Sequence, residues 1–109
     1  MIRPLALALL ALPAAAQEGE VWITNEKDDT VSVIDVATLE VTRTIPVGER
    51  PRGILFSHDF DVAYVCASDS DAVQVIDPAT GEVLHDLPSG EDPEQFALHP
   101  DDRHLYIAN

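Results

Sequence analysis

"DTVSVIDVATLEVTRTIPVGERP" (residues 29–51) and "DAVQVIDPATGEVLHDLPSGEDP" (residues 71–93) are one phrase written twice. Sliding the chain over itself by 42 residues lays 21–67 on 63–109 without a gap. Fifteen of the 47 superposed positions are identical, including Asp29/Asp71, Asp35/Asp77, Pro46/Pro88, Gly48/Gly90, Asp59/Asp101 and Tyr64/Tyr106. A gap-free repeat of this length signals a solenoid or the blades of a ring.

The spacing inside the unit decides between them. GILF (53–56), VAYVCA (62–67), AVQVI (72–76) and VLHDL (83–87) are short runs rich in β-branched and aromatic residues, as strands are. Between them lies turn chemistry. DPATG (77–81) sets proline early and glycine late, where a positive φ is needed. HPDDR (99–103) serves the first hairpin of the next unit in the same way. No segment sustains a helical period. Four short antiparallel strands per unit describe a β-propeller blade.

The expected fold class is therefore all-β: a partial β-propeller, about two blades of four-stranded antiparallel sheet. With strands labelled A to D from the ring axis outward, 20–46 gives B, C and D of one blade. Residues 51–88 give a complete blade, and 93–109 give A and B of the next. A ring closes with about 4–8 blades, so the chain reads as a fragment of a longer propeller. Such a piece exposes strand edges.

Residues 1–16 read separately. Met1-Ile2-Arg3 is a positive start, LALALLAL (5–12) is an apolar core, and Ala14 to Ala16 offer small residues before Gln17. That pattern is a secretory signal peptide cleaved after Ala16, and the expected location is periplasmic or secreted. The run is too short to cross a bilayer, which takes about 20 apolar residues, so no membrane span is expected in the mature chain. The formal net charge is −14. Without a basic stripe such a surface repels phosphate backbones, which excludes nucleic acid as a partner. Cys66 is the only cysteine, so no internal disulfide is available.

"VWITNEKDDTVSVID" (21–35), "YVCASDSDAVQVID" (64–77) and "LYIAN" (105–109) resemble the YVTN-repeat β-propellers. "TIPVGERPRGI" (44–54), "VCASDSD" (65–71) and "LPSGEDPEQFALHP" (87–100) are similar to one branch, the propellers associated with pyrroloquinoline quinone (PQQ)-dependent catabolism. The resemblance covers essentially all of 17–109. It implies a periplasmic propeller of about seven blades, non-enzymatic, acting as a binding or scaffold protein in quinoprotein alcohol oxidation. Partners would be proteins of the periplasmic quinoprotein dehydrogenase system or a small ligand. Related propellers include lactonase-type hydrolases, so an enzyme is one alternative and a surface interaction module another.

Strands alternate in direction, so the B→C loops and D→A links share one face of the disc. The D→A links run from rim to axis and line the mouth of the central channel. There one unit offers Arg50 and Arg52 where the next offers Asp92 and Glu94, beside Asp69 and Asp71. Loops on a rigid scaffold carry binding, and these six form the candidate docking face. The plainer reading is solvated turn residues, with an arginine paired to an acid of the neighbouring blade.

No catalytic, cofactor-binding or metal residue is expected. Asp69-Ser70-Asp71 lacks the glycine and distant glutamate of a calcium loop, so turn hydrogen bonds are the better reading. His58, His85, His99 and His104 do not recur at the 42-residue spacing. His99 and His104 bracket one hairpin, with no third ligand expected beside them. Cys66 reads as a small buried hydrophobe. Trp22, Tyr64 and Tyr106 read as an aromatic column between blades.

Overall fold

The computed structural model describes Ile2, Pro4 and residues 18–109; the signal-peptide reading of 1–16 falls almost wholly outside them. Nine strands follow in order: β1 (Glu20–Asn25), β2 (Thr30–Asp35), β3 (Val41–Pro46), β4 (Pro51–Phe56), β5 (Ala63–Ala67), β6 (Ala72–Ile76), β7 (Val83–Pro88), β8 (Gln95–Leu98) and β9 (Leu105–Ala108). They form three antiparallel meanders, β1-β2-β3, β4-β5-β6-β7 and β8-β9. The all-β partial propeller expected from the repeat is the fold found. No helix among the described residues is long and apolar enough to cross a membrane.

The twice-written phrase folds twice in the same way. Asp35 Oδ1 accepts the Ala37 N–H at 2.8 Å, and Asp77 Oδ1 accepts the Ala79 N–H at 2.9 Å. These side-chain turns open the links from β2 to β3 and from β6 to β7. The Thr38 and Thr80 hydroxyls then accept the Glu40 and Glu82 N–H groups. A register shift follows at Val33/Ile34 and again at Val75/Ile76. The fourth residue after the aspartate is left-handed in both copies, with φ +59° at Leu39 and +76° at Gly81. Leucine there carries a steric cost that glycine escapes.

Alternation puts Val31, Val33, Val65 and Ile76 inside with Trp22, Ile45 and Ala63. This core lies between the first two blades. Trp22 of β1 meets Phe56 of β4 edge-on, centroids 5.2 Å apart, and the Arg43 guanidinium lies 5.3 Å from the indole centroid. The repeat aromatics differ in burial and partner: Trp22 is 8% exposed and packs on Phe56, whereas Tyr106 is 59% exposed and lies beside His99. The central strands β5 and β6 are buried on both faces. They have a sheet on either side; β9 does not.

Successive blades touch at their inner strands. Gly53 N–H donates to the Glu94 carbonyl at 3.0 Å, and the Thr24 hydroxyl donates to the Arg52 carbonyl at 2.8 Å. The buried Ser68 hydroxyl donates to the Pro93 carbonyl at 2.6 Å. A Cβ on Gly53 would sit 2.8 Å from the Glu94 carbonyl oxygen, so only glycine permits this approach. Trp22→Ala removes the largest side chain between the first two blades and costs about 3–5 kcal/mol. Urea unfolding followed by circular dichroism measures it, and the slowest-exchanging amides fall in β5 and β6.

Candidate docking face

Two aspartates set the backbone of this face. Asp29 closes the β1–β2 loop and Asp71 the β5–β6 loop, both left-handed, at φ +55° and +51°. Aspartate tolerates that region better than most side chains do. Asp29 Oδ1 accepts the Arg50 N–H at 2.8 Å, and Asp71 Oδ1 accepts the Asp92 N–H at 2.9 Å. Arg50 and Asp92 are themselves left-handed, at +53° and +50°. One backbone device thus presents an arginine in one blade and an aspartate in the next.

The side chains then join across blades. Arg50 reaches Asp69 at 3.4 Å, Glu26 at 3.8 Å and Asp92 at 3.9 Å. Arg52 reaches Glu94 at 2.7 Å and Glu26 at 3.4 Å. The hydrogen bond to Asp69, then the charges of Asp69, Asp92 and Glu26, hold the Arg50 guanidinium above its ordinary pKa. Each exposed pair contributes at most about 1 kcal/mol; the value of the set is that it fixes two arginines between four acids. Five of the six residues named from the sequence meet here. Asp71 points instead to the Asp92 amide. The pairing of arginines with neighbouring-blade acids is therefore present in the structure.

Glu26, which the sequence places on this face in the B→C loop 26–29 but not among the six candidates, bridges both arginines. Its signal was its place in the NEKDD loop (25–29), one blade before Ser68. Asp69 and Asp71 send their carboxylates to different partners, the Arg50 guanidinium and the Asp92 amide, and not to the local turn bonds expected from the sequence.

His58, His99 and His104 settle at the turns of the opposite face, while His85 lies on β7. His58 Nε2 donates to the His99 carbonyl at 3.2 Å, tying two adjacent A→B turns together. The expectation of no third ligand beside His99 and His104 is overturned: Asp101 lies between them. Its oxygens are 3.0 Å from His99 Nδ1 and 2.8 Å from His104 Nδ1. The hairpin folds the carboxylate back over its own turn, where the Arg103 N–H, followed by the His104 ring, holds the Asp101 pKa down at about 2. Cys66 is fully buried, and burial pushes its thiol up to about 11.

Antiparallel sheets stacked face to face, with the links between them fixed by repeated caps, define a β-propeller. The chain belongs to the YNCE-like beta-propeller family, whose model matches residues 1–109. No curated protein matches it. Among solved structures it is similar to the hydrazine synthase of Kuenenia stuttgartiensis, at 27% identity and a TM-score of 0.77, over 82% of this chain and 25% of that one. A functionally unknown protein of Desulfotomaculum acetoxidans DSM 771 follows at 19% and 0.74, over 84% and 32%. The beta-propeller domain of Myceliophteria thermophila Cps50 (Swd1) aligns at 16% and 0.62, over 84% and 35%. The chain thus spans about a quarter to a third of each of these proteins.

Two outcomes follow from the site. Asp29→Ala costs about 1–2 kcal/mol through the lost cap, whereas Asp29→Asn keeps an acceptor and a tolerated left-handed residue and costs less; thermal unfolding of the two variants gives the comparison. Cys66 stays unlabelled by a disulfide reagent at pH 8 while the chain is folded, and reacts once urea unfolds it.

Proposed function

We propose that the protein is a non-enzymatic binding propeller of the periplasm that docks a component of quinoprotein-dependent alcohol oxidation through its B→C and D→A loops. The observation that carries this reading is the interlocked set Glu26, Arg50, Arg52, Asp69, Asp92 and Glu94. Its charges are held before any partner arrives, so less side-chain freedom is lost on binding. Acids outnumber arginines four to two in this set, so the complementary surface is basic. Export rests on the pattern of residues 1–16, and the quinoprotein link on the resemblance of 44–54, 65–71 and 87–100. The one thiol is buried and poorly ionised, which weighs against a cysteine nucleophile.

The test is capture from periplasmic extract of alcohol-grown cells on the immobilised protein. A quinoprotein dehydrogenase or its electron acceptor is retained, and retention weakens in about 0.5 M salt, where screening is strong. Asp69→Asn combined with Asp92→Asn lowers retention several-fold. Equal capture by the variant and the parent rules out this face, and steady lactone hydrolysis by the parent moves the protein to the enzyme class.

A further inference from the structure

The β8–β9 hairpin gathers chemistry that the docking face does not use. One ligand atom each from His99, Asp101 and His104 lies within 4.8 Å of the other two. Both imidazoles face the same carboxylate, His99 Nδ1 at 3.0 Å and His104 Nδ1 at 2.8 Å. Two ligands on one zinc ion, each about 2.0–2.1 Å from it, stand roughly 3.3 Å apart, close to these separations. The turn is fixed by the His99 N–H bond to the His104 carbonyl at 2.8 Å and the Asp102 N–H bond to the His99 carbonyl at 3.0 Å.

The preceding blade shows which of these residues the turn itself needs. Ser57, Asp59 and Val62 stand one 42-residue unit before His99, Asp101 and His104. There the Ser57 hydroxyl donates to Asp59 Oδ1 at 2.7 Å, and Ser57 N–H bonds the Val62 carbonyl at 2.9 Å. The same hairpin therefore closes on serine, aspartate and valine. Aspartate is common to both turns; the paired histidines are the addition, and the turn geometry does not require them.

We propose that His99, Asp101 and His104 form a surface site for one borderline divalent transition metal of the Zn²⁺, Ni²⁺ or Cu²⁺ class. Two imidazoles and one carboxylate suit such ions and not Mg²⁺ or Ca²⁺, which take oxygen ligands. Three protein ligands leave a fourth position open to water. The metal displaces the proton shared between His104 Nδ1 and Asp101. It also takes the place of the Asp101 N–H, which lies 3.1 Å from His99 Nδ1. His58 stays outside the site because its Nε2 is committed to the His99 carbonyl.

The experiment is calorimetric titration of the untagged, chelator-stripped chain with ZnCl₂. One ion per chain binds with a micromolar dissociation constant. His99→Ser with His104→Val copies the preceding turn, so the fold is kept by circular dichroism while this saturable binding is lost. His58→Ala with His85→Ala binds as the parent does. No zinc uptake by the parent, unchanged uptake by the His99/His104 variant, or equally tight Mg²⁺ binding overturns the site.

Discussion

The hydrogen bond from the Arg50 amide to the Asp29 carboxylate, repeated between Asp92 and Asp71, is the constraint on which the candidate docking face depends. A chain leaving the outer strand of one blade must cross to the axis and begin the inner strand of the next. That reversal takes left-handed residues at both ends of the contact, a conformation most side chains avoid. A carboxylate aimed at the strained amide supplies the compensating bond. Once the link is pinned, Pro51 and Pro93 are buried beneath it, and the inner strands of adjacent blades come within hydrogen-bonding distance.

Most of this architecture was legible because each structural need is met by residue types with one plain use. Valines at alternate positions of β2 and β6 define inward faces, and aspartate followed by alanine and threonine makes the same side-chain turn in both copies. Identity at a fixed offset then carries the reading from one blade to its neighbour. Where the copies differ, local rules give less. Leu39 adopts the backbone that Gly81 adopts, and nothing about leucine announces it; the flanking Asp35 and Glu40 impose it through their backbone bonds.

The candidate site was legible in its loops and less so in its pairings. Position along the repeat places Arg50 and Asp92 in the links, and Arg52 and Glu94 at or beside the start of the strands that follow. Position alone does not tell which acid each arginine chooses. Glu26 lies 24 residues before Arg50 and meets it only through the stacking of two sheets. Asp101 was hidden for another reason. As an identical partner of Asp59 it was absorbed into the turn signal, and its second relation, to the two imidazoles, exists only because His99 and His104 replace Ser57 and Val62.

Identical ribs decorated with opposite charges have a further consequence. The backbone at 50 and 92 is interchangeable, yet a cation stands at one and an anion at the other. The sameness of the repeated scaffold is thereby broken, and the two equivalent positions reach toward one another as an ion pair. Two links built to one backbone plan thus carry side chains of opposite charge.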